Sequence, residues 1–587
     1  MIFKRKNNAE KLDLLMLPDY PEVLQPYRIS FRLGENKSES AKLYWNECLD
    51  QLKKLHQEQV SSEILVKLLS MNIDDLITTL FERADWLFQE SHPSKSRKCA
   101  LIALGGYGRS EMHPHSDVDL LFVYSSKEKP EEYLNAISDA ILYVLWDLKL
   151  DLGNITRSIQ ESRLLFKEDV VSVSSMLDAR YLAGDKNIAQ DFLQMIQEEI
   201  QTKSARDFFD QEKSKENRDR RKKFGSSVYI IEPNVKESEG GLRDVQTLLW
   251  YAHVFQQKKT LETLLESKWL TEESYQELKV GRNFLWQVRN AIHFHLDQKK
   301  DQLTFPLQEK ISKELGYEDE PGILAVEKFM QTYYHHAANI KRIIDLSVDE
   351  MVHKTEKKLK LIVPKGAESF DSDFVILGEK LLAKDPLCFE KNPFNLMRVF
   401  LVAQKENVDL GEETRRLISK NLHLADEDFA SHPEVNRMIR DLFTELKGLG
   451  RVLNLMHELK MLHRVIPEFG EVLYRPQHDV YHIYTVDNHS IFAVGELSKL
   501  FEGTYDNTFS YFKEVLFQTP RHDLLSLGTF FHDVGKGRGK NHSIVGAEMA
   551  LRATQRMGFS DKDCEMVEFL VKSHLLMPHL SQRRDLD

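Results

Sequence analysis

The stretch ALGGYGRSEMHPHSDVDLLFVY, Ala103 to Tyr124, decides how the N-terminal half folds. It joins two short apolar runs, CALIAL and VDLLFVY, through a glycine-rich turn. Apolar runs of this length, bounded by turn residues, predict buried strands. A dinucleotide fingerprint would need a third glycine and a long helix. Here Gly106-Tyr107-Gly108 is followed by Arg109, Ser110 and Glu111, and Pro114 would break a helix. The two ends read together give a different pattern, Gly105-Gly106, ten residues, then Asp117-Val118-Asp119. Residues two apart on a strand share a face, so both carboxylates stand together. They repel unless a cation lies between them, and Mg2+ commonly joins carboxylates to substrate phosphates. The glycines let backbone N–H groups approach those phosphates. The pattern points to metal-dependent nucleotidyl transfer, with Asp117 and Asp119 as Mg2+ ligands and Gly105, Gly106, Arg109 and Ser110 at the nucleotide. The plainer alternative is an Asp-x-Asp that only opens a strand after a turn.

Outward from this stretch, the flanking segments read mainly as helix. Residues 1–95 carry apolar residues at three- and four-residue spacings, as in LYWNECLDQLKKLHQ, and predict a helical packing layer. Residues 96–200 predict a small α/β domain. The run KSARDFFDQEKSKENRDRRKK, from Lys203, predicts a solvated helix or a basic rim for a triphosphate or an acidic partner. Residues 201–347 predict long helices, and 348–470 a connector with a few strands and then helices. Residues 471–587 form a last helical domain. The fold class expected is therefore mostly α, multidomain, with one α/β domain.

The chain has 587 residues, too many for one core. Its 42% hydrophobic and 29% charged residues fit a soluble protein. The net charge of −12 argues against a general nucleic-acid binder. The four cysteines are scattered, which suits a reducing compartment. There is no signal peptide and no apolar window of membrane length, so a cytoplasmic location is expected.

A second constellation lies in TFFHDVGKGRGKNHS. It holds His532-Asp533 and Lys536, with His542 nine residues after Asp533. His489 lies upstream and His574 downstream. Imidazoles and a carboxylate on separate helices are how helical bundles build metal sites. A metal there would activate water, and Lys536 would offset phosphate charge.

The motif GGYGRSEMHPHSDVDLLF resembles the nucleotidyltransferase signature of the bacterial PII-protein uridylyltransferases, the GlnD family. YIIEPNVKESEGGLRDVQTLLW, FLWQVRNAIHFH, QHDVYHIYTVDNHS, FFHDVGKGRGKNHSIVGAE and LVKSHLLMPHLSQRRDLD are similar to later blocks, in family order. The resemblance implies a nucleotidyltransferase fold, a helical domain and an HD phosphohydrolase domain. It implies transfer of UMP from UTP to a tyrosine of the PII nitrogen-signalling protein, and hydrolytic removal of that UMP. It gives the HD metal site as His489, His532, Asp533 and Asp585, with Mn2+ or Mg2+, and His542 and His574 at a second metal or phosphate. His482 rivals His489 for the early ligand. For a third transferase carboxylate, Asp151 and Asp178 are candidates, with Asp178 preferred. Two positions depart from the family, Ser110 where glycine is usual and Asn154 where histidine is usual. The chain stops at Asp587, where the family continues into two ACT domains, so a fragment or a shortened member is expected. The rival functions are transfer of another nucleotide or to another acceptor, and a non-catalytic sensor that binds nucleotide or PII.

Overall fold

A computed structural model describes residues 37–125, 129–225, 227–320, 323–354, 368–369, 371–476, 485–538 and 541–583. The chain divides into two compact units, one of residues 1–227 and 232–315, the other of 228–231 and 316–587.

The first unit is built on a four-stranded sheet in the order β3-β2-β1-β4. Its strands are β1 Cys99–Ala103, β2 Val118–Tyr124, β3 Leu152–Ser158 and β4 Arg180–Gly184. β1 pairs antiparallel with both β2 and β4, while β2 and β3 run parallel. All five residues of β1 are buried, which explains why CALIA reads as a continuous apolar run. Parallel pairing demands a crossover, and the helix Glu131–Asp147 supplies it. Helices α1, Lys37–Gln57, and α2, Ser62–Ser91, share one core with the sheet. Tyr44, Leu69 and Ile77 belong to the same buried cluster as Leu101 and Phe122. The expected packing layer is thus part of the α/β domain.

Helix α3, Val170–Leu177, starts on an Asp169 cap whose side chain accepts from Val171 and Ser172 N–H. The charged run from Lys203 forms helix α4, Lys203–Phe224. It is not wholly solvated. Lys213 is buried, donates to Ser174 Oγ at 3.1 Å and Glu216 at 2.9 Å, and stands 4.1 Å above the Trp250 ring. Arg220 is buried against Asp244. Helices α5, Leu242–Gln256, and α6, Glu272–Leu296, complete the frame of the site.

The second unit contains the long helix α7, Ala325–Lys354. The boundary expected near 347 falls inside this helix. A small sheet follows in the order β5-β6-β7-β8, with β5 Glu368–Ser369, β6 Phe374–Leu377, β7 Lys380–Ala383 and β8 Asp409–Leu410. Four C-terminal helices frame the second constellation, with His532 and His574 at the C-caps of the second and fourth: α8 Val486–Glu502, α9 His522–Phe531, α10 His542–Arg556 and α11 Asp561–Ser573. Phe374, Phe400, Leu453, Ile491, Phe530 and Val571 belong to one hydrophobic cluster. The boundary expected at 470 therefore cuts a continuous core. Among the described residues, no helix is long and apolar enough to cross a membrane. All four cysteines are free and buried.

Candidate functional site

The GGYG turn is held from below by the N-terminal helices. Tyr107 is buried, and its hydroxyl donates to Asp74 of α2 at 2.6 Å. Arg180 bonds the same carboxylate at 2.7 and 3.0 Å and donates to the Tyr107 and Gly108 carbonyls at 3.1 and 3.3 Å. This network fixes the turn against the sheet.

Above it, the Asp119 carboxylate lies between two glycines. A Cβ on Gly105, whose φ is +54°, would sit 3.1 Å from Asp119 Oδ2. A Cβ on Gly153 would sit 2.2 Å from Asp119 Oδ1. Gly153 is the register partner of Asp119 on β3, so the cradle is set by the parallel pairing. Burial, with the neighbouring Asp117 charge, pushes the Asp119 carboxyl above its ordinary value, against the pull of Lys299, Lys236 and Arg109. A carboxylate lodged in a cradle that any side chain would fill, beside a second carboxylate, suits a divalent cation.

The register also separates the two candidates for a third carboxylate. Val118 N–H donates to the Asp151 carbonyl at 2.8 Å, which extends the β2–β3 ladder by one residue. Asp151 and Gly153 therefore share the face of Asp117 and Asp119. Asp178, preferred on the sequence, is elsewhere engaged. It forms a buried ion pair with Arg109 and accepts from the Trp250 indole N–H at 3.0 Å. Arg109 also bonds Glu111 at 2.8 Å, so both of its charge partners are protein carboxylates. Asn154 pairs with Leu120 and lies on the opposite face from the Asp119 cradle.

Ser110 adopts φ +59°, the left-handed region that favours glycine. The serine is thus held in a backbone conformation that a glycine would take freely. Left-handed strain of about 1–2 kcal/mol outweighs the extra chain entropy of glycine, about 0.5–1 kcal/mol. Ser110→Gly is therefore expected to raise stability by about 0.5–1 kcal/mol, read as a later denaturant midpoint of the first unit.

Helix α6 holds the loop between β1 and β2 through side chains that no sequence pattern singled out. Buried His113 meets Asn290 at 2.7 Å. His115 N–H donates to His293 Nδ1 at 3.3 Å, which leaves His293 Nε2–H for Asp301 at 3.0 Å. Arg289 also grips Asp301, at 2.7 Å. Lys299, just beyond α6, forms an ion pair with Asp117. These residues lie in or beside FLWQVRNAIHFH, so the block was visible in the sequence but its roles were not.

In the second unit, Asp533 is 3% exposed and central. His532 Nε2 lies 3.2 Å from it, His574 Nε2 3.6 Å, His489 Nε2 3.8 Å and His542 Nε2 3.9 Å. Lys536 Nζ lies at 2.7 Å. His489, His532 and Asp533 can hold one ion, and Asp533, His542 and His574 another. The rings are aimed for it. His532 Nδ1–H donates to the Thr529 carbonyl and His574 Nδ1–H to that of Val571, each at 2.7 Å, which turns both Nε2 lone pairs inward. His542 Nε2 and His574 Nε2 are buried and, among the described residues, have no hydrogen-bond partner. His489 Nε2 and His532 Nε2 stand 3.2 Å apart. Two imidazoles each about 2.1 Å from one ion would show about that spacing. Burial holds the His542 and His574 imidazoles below their ordinary pKa, hence neutral at pH 7. Burial would raise Asp533, but His532 and Lys536 outweigh it and hold it well below the usual carboxylate range. These donors fit a divalent metal. Asp585 and His482 lie outside the described residues.

Comparison with known proteins bears on both sites. Residues 208–347 match the GlnD PII-uridylyltransferase family, and 374–465 match the third domain of uridylyltransferase GlnD. Residues 486–586 match the HD domain, and 47–149 a putative nucleotidyltransferase family, DUF294. The bifunctional uridylyltransferase/uridylyl-removing enzyme of Cereibacter sphaeroides is 33% identical over 516 residues, 87% of this chain and 55% of the relative. That of Novosphingobium aromaticivorans is 33% identical over 517 residues, 88% of this chain and 56% of the relative.

This chain is similar to the GlnD family.

It spans about half the length of the curated relatives it matches. The first unit contains the putative nucleotidyltransferase match, and the segment that matches the HD domain carries the His/Asp cluster.

Proposed function

We propose that this chain transfers UMP from UTP to a tyrosine of the PII signalling protein and removes it by hydrolysis. The observation that carries the reading is the coexistence of two separate metal-suited centres. One is the glycine-cradled Asp119 with Asp117. The other is Asp533 ringed by four imidazoles. The names of the relatives join the same two activities.

At the first centre, Asp117, Asp119 and Asp151 would hold Mg2+. Bound there, the cation neutralises the triphosphate and orients it. The Gly105-Gly106 turn opens the space for the phosphates, and the Tyr107–Asp74–Arg180 network keeps that turn in place. The tyrosyl oxygen bonds to the α-phosphorus as the bond from that phosphorus to pyrophosphate breaks. The electron pair leaves on pyrophosphate, and the hydroxyl proton passes to solvent. Arg109 and Asp178 act together as a buried brace beneath the turn.

At the second centre, His489, His532, Asp533, His542 and His574 would hold Mn2+ or Mg2+. Bound there, the cation supplies Lewis acidity and an activated water. Lys536 offsets phosphate charge. The water oxygen bonds to phosphorus, the bond to the tyrosyl oxygen breaks, and that oxygen takes up a proton. A cytoplasmic setting suits both the free cysteines and the partner.

The reading is tested by following labelled UMP onto purified PII protein, and off it, with all four nucleoside triphosphates offered. Preference for UTP and loss of label in the second step support it. Equal use of ATP, or no transfer at all, overturns it. Gly153→Ala adds a local check. Its methyl would collide with the Asp119 carboxylate, so transfer is expected to fall by ~10-fold or more, while removal of UMP stays at the parent rate.

A further inference from the structure

Lys236 sits in the loop from Pro233 to Gly241, which is pinned on both sides. Asn234 Oδ1 accepts from the N–H groups of Lys236 and Glu237 at 3.1 and 2.8 Å. Val235 N–H donates to the Asp301 carbonyl at 2.8 Å, and Leu303 N–H to that of Pro233 at 2.9 Å. The loop is thereby tied to the segment that carries Lys299 and Asp301. Several cations gather here, and most are neutralised. Arg289 has Asp301 at 2.7 Å, Arg243 has Glu237 at 2.9 Å, Lys299 has Asp117, and Arg109 has Asp178 and Glu111.

Lys236 differs from them. Its nearest carboxylate oxygen is Glu237 Oε1, 3.7 Å away, beyond hydrogen-bond reach, and its side chain is only 26% exposed. Among the described residues its ammonium has no hydrogen-bond acceptor. Burial, with the Arg289 and Arg243 charges, pulls it down to about 8. Its charge is also one of those that act on the Asp119 carboxyl. A confined, under-bonded ammonium, in a loop tied to the segment whose Lys299 pairs with Asp117, calls for an external polyanion.

We infer that Lys236 binds the β- and γ-phosphates of the incoming nucleoside triphosphate and holds the pyrophosphate as it departs. This rests on the transferase reading above. The lysine contributes ammonium hydrogen bonds to non-bridging oxygens, so it acts on the leaving group and leaves the α-phosphorus open to the acceptor.

Equilibrium binding of UTP and of UMP, with Mg2+, to the whole 587-residue chain tests it. Lys236→Met is expected to weaken UTP by ~10- to 100-fold, the size of a charged hydrogen-bonding contact, with UMP binding unchanged. Lys236→Arg should restore most of the UTP affinity. A purely structural lysine would lower the melting temperature when removed. This one, held by no hydrogen bond from its ammonium and paired with Glu237 only at 3.7 Å, should leave it unchanged or higher. Equal weakening of UTP and UMP, parental UTP binding by Lys236→Met, or a lower melting temperature with both ligands lost would overturn the assignment. A parent protein that binds none of the four triphosphates would bring down the transferase reading and this role together. A parent that binds UTP, matched by Lys236→Met, would bring down this role alone.

Discussion

Asp533→Ala is expected to abolish metal uptake at the HD domain and hydrolytic removal of UMP, while transfer continues. Asp533 is the one carboxylate common to both candidate ligand groups. It also compensates Lys536 at 2.7 Å and faces four imidazole nitrogens within 3.9 Å. Groups one step removed from a metal typically matter 10- to 100-fold, so removal should fall by at least ~100-fold here. The alanine also strands a partly buried ammonium, which is destabilising. Asp533→Asn keeps the volume and serves as the control for folding. Metal content by elemental analysis, together with UMP release from modified PII protein, reads the result. Retention of both metal and release in either variant would refute the centre.

Asp119→Asn is expected to reduce UMP transfer by roughly 1,000-fold, the scale of losing a group that stabilises transition-state charge, and to leave removal intact. Its effect on stability should have the opposite sign from that of an ordinary core change. Burial and the Asp117 charge raise the Asp119 carboxyl. A carboxyl raised on folding stabilises the fold while protonated and loses that contribution as pH rises through its folded value. At neutral pH the charged form therefore works against the fold, and the amide relieves it. The first unit should melt at the same temperature or higher, with the difference shrinking as pH falls. Transfer by Asp119→Asn at the parent rate would rule out the assignment.

Much of both sites was legible along the chain. Asp117 and Asp119 are two apart, and the strand period alone puts them on one face. His532 and Asp533 are adjacent, and His542 follows closely enough to suggest its role. The glycine pair announced a turn that could approach phosphate. What the chain could not show was which distant residues meet these. Gly153 matters because β3 pairs with β2 in one register, and a shift of one residue would put Asn154 there instead. Asp151 and Asp178 are both acidic and both near strands. Only the ladder, and the Arg109 ion pair, separate a carboxylate on the site's face from one buried beneath the turn.

The same division holds for the fold. Apolar periodicity and turn residues determined where strands and helices form, because local spacing fixes which side chains share a face. Tertiary structure decided that the N-terminal helices complete the α/β core, that residues 371–470 share a core with the HD helices, and that the nearest carboxylate to Lys236 stands beyond hydrogen-bond reach. Burial and charge compensation depend on contacts between residues far apart in the chain. A sequence read from neighbour to neighbour carries no signal for them.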